Sequence, residues 1–433
     1  MKSDKCAGLC FTACFLLYLL LQSANSFAAS NFSESKIILE KTWTVAGHAG
    51  KEFSLDGFFV INNSNQKVVN ISTTPPVGIV QDANGSIRIR YNGTIEKGGD
   101  ATVKAIATIV IDYNTALSSD ITLSAVSALS KNATTNLTVY SAFIANEAKK
   151  LSVPSSALNT LRNLTWWVHT NIHYNESYFS LVKSAIEVYQ ERQGVCVEYT
   201  HLLMSMAAAL GFENRYVTGY AKTSEWQPHA WVEIYLPGQG WLPLDATFNE
   251  AGVLDNSHIA MSYGTDHGSV FDIVTSTSKV SIMIKNKLNL VTSNNDPKGF
   301  SVKCVLDSNS TKFGVSVENN RSVYAFGSYD AVFPAEINDR DSALLLLAPN
   351  EIRSITYKLN DSFFDEGFSY LIPIYVSLND ATCNQSHNFT VTSKIKDDTS
   401  DSNAVKNNMC AMVVGFFSSI AFYLFYFGRC KKW

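Results

Sequence analysis

The sequence predicts an α+β protein in which a central unit of helices packed on an antiparallel sheet is flanked by two β-sandwich domains. Three observations support this fold class. Apolar and polar residues alternate between turn signals in residues 30–140 and again in 281–395, which is typical of strands. Apolar residues recur at helical spacing in the first part of 141–280. At 433 residues the chain is also too long for one hydrophobic core.

The N-terminal end predicts a secretory signal peptide over residues 1–29. Lys2 and Lys5 precede an apolar run over residues 9–21, and small residues follow that run, as they do at a cleavage site. An uncleaved N-terminal anchor is the alternative interpretation, although the apolar run is short for an anchor. The signal peptide predicts that the protein is exported.

The C-terminal end predicts one transmembrane helix over residues 409–427. This run is uncharged, and as a helix it would be about 28 Å long, close to the thickness of a bilayer core. A polar linker over 396–408 precedes it, and the basic tail over 428–433 is expected to stay cytoplasmic. The sequence therefore predicts a single-pass type I membrane protein at the cell surface. A lipid-anchor signal is the alternative, but such signals end in the apolar segment itself.

Composition limits the partners that can be expected. The net charge is −4 and no basic stripe occurs, which argues against nucleic acid as a partner. Asn-x-Ser/Thr sequons lie between the two apolar ends and predict a glycoprotein, with a merely Asn- and Thr-rich surface as the alternative. Neither a glycine-rich phosphate loop nor a calcium loop is found in the sequence, so we expect no cofactor and no metal.

The central region, 141–280, begins with helices. Pro154 and the serines after it mark the start of a helix with apolar residues at helical spacing. A further helix is predicted over 178–190. The Ala-rich apolar segment 196–210 predicts another, which ends at Gly211, a natural C-terminal cap.

The positions of the cysteines predict which one is a free thiol. Outside the two apolar ends the chain has Cys196, Cys304 and Cys383. Because Cys304 and Cys383 both lie in 281–395, we expect them to form a disulfide after export, leaving Cys196 as a free thiol. Candidate strands of this second sandwich are 288–291, 300–305, 313–317, 342–347 and 370–376.

Two predicted strands, 229–236 and 241–248, alternate between an apolar and a more polar face, and they bring the imidazole of His229 and the carboxylate of Asp245 together. Their apolar faces must match, because a slip of one residue would bury the polar faces. A short connection then pairs Tyr235 with Trp241 and places Asp245 opposite Trp231. His229 is diagonal to Asp245 on the same face, about 7–8 Å away between backbones, which is within side-chain reach.

Cys196 supplies the third chemical group. It lies two residues after Gly194 and begins a predicted helix, whose N-terminus favours a thiolate and offers backbone N–H groups to an oxyanion. A thiol needs a base, and the base needs a carboxylate that orients it, which His229 and Asp245 provide. One alternative is that Cys196 is a buried residue with only a packing role. Another is a metal site formed by Cys196, His229 and Asp245.

Three motifs resemble those of the transglutaminase-like superfamily, the papain-related cysteine enzymes. They are Gly-Val-Cys at 194–196, His-Ala-Trp-Val-Glu at 229–233 and Trp-Leu-Pro-Leu-Asp-Ala-Thr at 241–247; the strand 215–220 is similar too. The resemblance covers about 155–260. It implies that the central unit is papain-like, with Cys196 as nucleophile, His229 as general base and acid, and Asp245 as the orienting residue.

The resemblance also implies a reaction class. A thiolate would attack an amide of a protein or peptide substrate at the cell surface and form a thioester, with hydrolysis expected and transamidation as the alternative. An alternative function of a different kind is that of a non-catalytic binding module at the cell surface. Candidate cleft or oxyanion residues are Gln190, Trp166, Trp167 and Trp231, although Gln190 also suits an exposed helix and Trp166 and Trp167 suit core packing.

Overall fold

A computed structural model describes most of the chain between the two apolar ends. The predicted signal peptide, linker and cytoplasmic tail lie outside the described residues. So does the predicted transmembrane helix, except for Val413–Val414 and Leu424–Phe425, which pair as short antiparallel strands. Within the described ranges no helix has the length and apolar character needed to cross a membrane. These ranges are 34–112, 117–127, 134–252, 254, 257–294, 299–306, 312–334, 340–358, 364–365, 367–390, 413–414 and 424–425.

The elements follow the predicted order of strands, helices and strands. The first group is β1 Glu34–Gly47, β2 Glu52–Ile61, β3 Gln66–Thr74, β4 Gly78–Gln81, β5 Ser86–Thr94 and β6 Asp100–Ile111. The central group is α1 Leu123–Ser127, α2 Ala142–Leu151, α3 Ala157–Asn171, β7 His173–Tyr174, a 3₁₀ turn Glu176–Ser180, α4 Ala185–Glu191, β8 Gln193–Gly194, α5 Cys196–Ala209, β9 Asn214–Lys222, β10 Trp226–Leu236, β11 Gly240–Asp245, β12 Glu250–Ala251 and β13 His258–Gly264.

A third group completes the chain. After a 3₁₀ turn, His267–Ser269, it comprises β14 Ile273–Ser276, β15 Val280–Asn294, β16 Phe300–Leu306, β17 Lys312–Asn319, β18 Ala325–Val332, β19 Arg340–Leu347, β20 Ile352–Lys358, β21 Ser369–Leu378, β22 Ala381–Thr390, β23 Val413–Val414 and β24 Leu424–Phe425. Among the strands that the structure describes, the pairings are antiparallel except that of β7 with β8.

The N-terminal sandwich contains two strands that the sequence analysis placed elsewhere. Its sheets have the orders β15-β1-β6-β3 and β14-β2-β5-β4. The segment 288–291, predicted for the second sandwich, belongs to β15 and pairs with β1 along its length. Alternation identified the strand correctly, but it could not reveal the partner, because Leu288 and Leu290 pack against a core built from residues 37–111, far away in the chain.

In the central unit, α5 lies between a sheet and the other helices. The sheet order is β12-β11-β10-β9-β13, and α5 packs on β10 and β9 while α2, α3 and α4 pack on α5. Because α5 is covered on almost every side, nearly all its residues are buried, which explains why its sequence is apolar all round. The predicted helix 178–190 is shorter in the structure, because Ser184 and Glu187 form a capping box that starts α4 at Ala185.

The C-terminal sandwich is continuous in sequence. Its sheets have the orders β16-β17-β20 and β19-β18-β21-β22, and Cys304 of β16 is disulfide-bonded to Cys383 of β22 (S–S 2.00 Å). Phe326 of β18 belongs to the apolar cluster of the central helices. Gly252 lies so close to Phe326 that a Cβ there would be 2.8 Å from its ring, so this sandwich is packed directly on the central unit.

Candidate active site

The start of α5 is fixed by a buried carboxylate. Glu198 accepts hydrogen bonds from the backbone N–H groups of Val195 (3.0 Å) and Lys183 (3.1 Å). A Cβ on Gly194 would lie 2.2 Å from Cβ of Glu198, so only glycine allows this packing. The helix therefore begins at Cys196, whose side chain is 6% exposed, and the structure describes it as a free thiol.

The strand register brings His229 to Asp245. Tyr235 pairs with Trp241, as the apolar faces predict, and β11 ends at Asp245. The distance from His229 Nε2 to Asp245 Oδ2 is 2.6 Å. Because Nε2 is engaged by the carboxylate, Nδ1 is the ring nitrogen that remains for Cys196.

The electrostatics of this pair favour a charged imidazole. Burial lowers the pKa of His229, but the charge of Asp245, its hydrogen bond and the neighbouring Cys196 outweigh burial and raise that pKa to about 9. For Asp245, burial opposes ionisation, yet interaction with His229 and then with His258 lowers the pKa of the carboxyl well below its usual range. At neutral pH the site therefore holds an imidazolium–carboxylate pair.

His258 is a member of the site that sequence reasoning missed. It is fully buried on β13, and its Nε2 lies 3.2 Å from Asp245 Oδ2. The other carboxylate oxygen accepts from the backbone N–H groups of Thr247 (2.7 Å) and Phe248 (3.3 Å). No signal in the three motifs points to His258, because it lies beyond them and joins the site through the pairing of β13 with β9.

His229, Asp245 and His258 could in principle hold a metal ion, since their ligand atoms lie within 4.8 Å of one another. Two ligands about 2.0–2.2 Å from one tetrahedral ion are about 3.4 Å apart. The 2.6 Å contact between His229 and Asp245 is shorter than that and fits a hydrogen bond. The arrangement as it stands therefore suits proton transfer better than metal binding.

The predicted accessory residues lie outside the site's open side. Trp231 is 1% exposed and packs against His229 with its ring 6.1 Å away, so it supports the imidazole without lining a cleft. Trp167 stacks on Tyr189, and Gln190 is exposed on α4. Neither these two nor Trp166 is among the residues that line the cleft described next, although His169, one turn after Trp166 on α3, does line it.

A cleft of about 1290 Å³ opens at the thiol. Its lining includes Tyr174 and Tyr216, two residues that sequence reasoning also missed. Burial raises the pKa of both hydroxyls, and the proximity of Cys196 adds to this effect, so both stay protonated beside the thiol. Phe248 stacks on His229 at 4.8 Å and forms another part of the wall.

Comparison with known proteins agrees with the motifs. Residues 145–246 match the family model of the transglutaminase-like superfamily. An uncharacterized protein of Mycobacterium leprae is 26% identical over 113 residues, covering 24% of this chain and 39% of the relative. One from Mycobacterium bovis is 27% identical over 128 residues, covering 26% and 40%. The chain thus spans about two fifths of the length of these relatives.

Two solved structures with similar chains are a protease and a transglutaminase by name. A candidate cysteine protease from Cytophaga hutchinsonii has 19% identity and a TM-score of 0.44, covering 61% of this chain and 93% of the other. Red sea bream transglutaminase has 11% identity and a TM-score of 0.21, covering 84% and 81%. The assignment itself comes from the family model: residues 145–246 belong to the transglutaminase-like superfamily.

Proposed function

We propose that this protein is a cysteine-dependent enzyme that acts on amide bonds of a protein or peptide, with Cys196 as nucleophile, His229 as general acid and base, and Asp245 as the orienting carboxylate. The observation that carries the proposal is the 2.6 Å contact between His229 and Asp245, next to a buried thiol at the first residue of α5. A base held by a carboxylate beside a nucleophile is the arrangement that acyl transfer needs.

The reaction would proceed through a thioester. His229 takes the proton of the Cys196 thiol, the sulfur attacks the amide carbon and forms a C–S bond, and the C–N bond breaks as His229 passes that proton to the leaving amine. Negative charge on the carbonyl oxygen would be held by the backbone N–H of Cys196, since the first N–H groups of a helix lack intrahelical acceptors. The protonated hydroxyls of Tyr174 and Tyr216 are further donors near the thiol.

Two acceptors can resolve the thioester. Water gives hydrolysis and an amine gives transamidation, and in both cases His229 takes the proton from the attacking group. We favour hydrolysis, because the cleft is wide and leads directly to the thiol, so water has access to the thioester. We also propose, from the two apolar segments of the sequence, that the enzyme is exported and anchored to the membrane by a C-terminal helix. It would then act on substrates outside the cell.

Casein offered together with a fluorescent amine tests the proposal on the full chain. The expected result is release of new amino termini without amine incorporation, abolished in Cys196→Ala and His229→Gln. His48→Gln, which changes an exposed histidine of the N-terminal sandwich, serves as the matched control and should retain activity. Amine incorporation would establish transamidation instead. Equal signals from the native chain and Cys196→Ala would contradict catalysis and favour a binding module.

A further inference from the structure

The order of strands in the central sheet brings a second histidine into the site. In the register of β10, β9 and β13, His229 is opposite Gly219, which in turn is opposite Ala260. His258 lies two residues before Ala260 and therefore shares the face of His229. A Cβ on Gly219 would lie 1.8 Å from the backbone oxygen of Ile259, so only glycine lets β13 pair this closely. The two imidazole rings meet above β9, with centroids 5.5 Å apart.

Both the backbone and the ring of His258 are held in place. The N-terminal sandwich fixes β13 through Gln66 of β3, whose Nε2 donates to the backbone oxygen of Ala260 (2.8 Å) and whose Oε1 accepts from its N–H (2.9 Å). The ring of His258 is fully buried, and it meets Trp231 (5.3 Å) and Phe248 (5.7 Å) edge to face. Its polar atoms therefore have one fixed direction.

The Asp245 carboxylate accepts from two imidazoles on the same oxygen. Nε2 of His229 lies 2.6 Å from Oδ2, and Nε2 of His258 lies 3.2 Å from it. An ionised carboxylate can only accept hydrogen bonds, so His258 carries a proton on Nε2 and donates it. The backbone N–H groups of Thr247 and Phe248 donate to Oδ1. The carboxylate thus has donors on both oxygens that do not depend on His229.

A donor that does not take part in the reaction matters because His229 changes its charge during turnover. When His229 gives up its proton, its hydrogen bond to Oδ2 is no longer assisted by the charge of an imidazolium and weakens. The terminal torsion of an aspartate is broad, so a carboxylate held mainly by such a partner could turn. The bond from His258 keeps Oδ2 in place, and the imidazole of His229 returns to the same orientation toward Cys196.

His258 also limits how strongly the carboxylate acts on His229. A donor that shares Oδ2 stabilises the charge of Asp245, and interaction with His258 contributes to the low pKa of that carboxyl. The effect of the same charge on the neighbouring imidazolium is then smaller. The other titratable groups that face the pair come from α3, α5, β7 and β12: His169, Cys196, Tyr174 and Glu250, the last 4.0 Å from His258 Nδ1.

We propose that His258 is a positioning residue of the active site: its Nε2 donates the second hydrogen bond to Asp245 Oδ2 and so holds the carboxylate, and through it the imidazole of His229, in the geometry needed for proton transfer. This inference rests on the proposed function in one respect, that His229 is the acid and base. The hydrogen bond itself can be tested without turnover.

The kinetic test compares three variants of the full chain with casein as substrate. His258→Phe keeps a ring in the aromatic enclosure and removes the donor, and it should lower kcat at least about tenfold with KM within about twofold. His258→Gln retains an amide N–H donor and should recover most of the loss. His387→Phe is the matched control, because His387 is also buried (1% exposed) beside an aromatic ring, Phe313, but lies in the C-terminal sandwich. It should keep the native kcat.

An NMR titration of the His229 imidazole distinguishes positioning from packing. The chain is labelled with ¹⁵N-histidine, and His229→Gln identifies the resonance. The native midpoint should lie near the pKa of about 9. His258→Phe should raise it by about one pH unit, because the undivided charge of Asp245 then acts on His229, and His258→Gln should restore it. A residue that only fills space would give the opposite sign, since a loosened site separates His229 from Asp245. His258→Leu, which also lacks a donor, replaces His258→Phe if that variant does not fold.

The outcomes separate this inference from the proposed function. A midpoint that is unchanged or lowered in His258→Phe, an unchanged kcat, or a loss of kcat that His258→Gln does not recover overturns the inference even if the native chain cleaves casein. A raised midpoint that His258→Gln restores supports it even if the native chain leaves casein intact, and in that case the catalytic proposal fails alone.

Discussion

The two β-sandwiches use buried or partly buried carboxylates for different purposes. In the N-terminal sandwich, the Asp272 side chain is 4% exposed and accepts from Lys41 Nζ (2.8 Å), Trp43 Nε1 (3.0 Å) and the backbone N–H of Phe58 (2.7 Å). In the C-terminal sandwich, Asp330 is partly exposed at the cleft. The first carboxylate holds elements together, and the second faces the space where a ligand would lie.

Their connections to the central unit differ in the same way. The N-terminal sandwich recruits β14 and β15 from beyond the central unit, and its Gln66 exchanges two hydrogen bonds with the backbone of Ala260 on β13, the strand that carries His258. The C-terminal sandwich contributes the cleft wall instead. One sandwich therefore packs behind the strand that carries His258, while the other lines the cleft.

Loss of the Asp272 carboxylate should have the largest effect on stability. Asp272→Ala leaves the ammonium of Lys41 buried without its partner, which costs about 3–5 kcal/mol. The free energy of unfolding from a denaturant titration measures this. Glu40→Ala, which removes the half-exposed partner of Lys104, is the control and should cost less than about 1 kcal/mol. Equal costs would show that the N-terminal sandwich does not depend on the enclosed pair.

Removing the disulfide should destabilise the other sandwich. The double change Cys304→Ser and Cys383→Ser opens a link across 79 residues, which typically costs about 2–5 kcal/mol. Hydrogen exchange should show loss of protection in β16–β22, while β1–β6 remain protected. Uniform loss over both sandwiches would mean that they unfold as one unit and would weaken the contrast between them.

The pH profile should depend on the site and on neither sandwich. Because the pKa of His229 is raised to about 9, its imidazolium and the acid catalysis it provides should persist up to that pH, and kcat/KM should fall above it. Asp245→Asn removes the charge that raises this pKa while burial still lowers it. The alkaline fall should then move down by at least about two pH units. Asp330→Asn should not change the pH at which kcat/KM has fallen to half.

Asp330→Asn should have the smallest effect on stability. The amide keeps an acceptor for Ser342 and the position is partly exposed, so the free energy of unfolding should change by less than about 1 kcal/mol. Thermal unfolding of the full chain measures it. A loss similar to that of Asp272→Ala would mean that Asp330 also serves folding, and the division of roles between the sandwiches would fail.

The sequence predicted local patterns well and long-range partners poorly. The pairing of Tyr235 with Trp241 follows from matching two apolar faces across a short connection, and the start of α5 at Cys196 follows from the glycine before it. The partner of β15 and the approach of His258 depend on packing between segments far apart in sequence. Periodicity contains no information about such contacts.

The same limit applies to the cleft. Trp166 and Trp167 were predicted for the cleft, but among the described residues of α3 it is His169 that lines it. The wall from the C-terminal sandwich arises because β18 and β19 pack their apolar ends on the central helices. Only the docking of two domains reveals that Ser328 and Asp330 then face the thiol-containing cleft.

Alkylation of Cys196 by iodoacetamide at pH 6 tests the central claim most directly, because an ordinary thiol is almost fully protonated there and reacts slowly. The account predicts rapid labelling of the native chain and at least about tenfold slower labelling of His229→Gln, with His48→Gln unchanged. Slow labelling of the native chain, at the same rate as His229→Gln, would contradict the claim that His229, oriented by Asp245, activates Cys196 as the nucleophile.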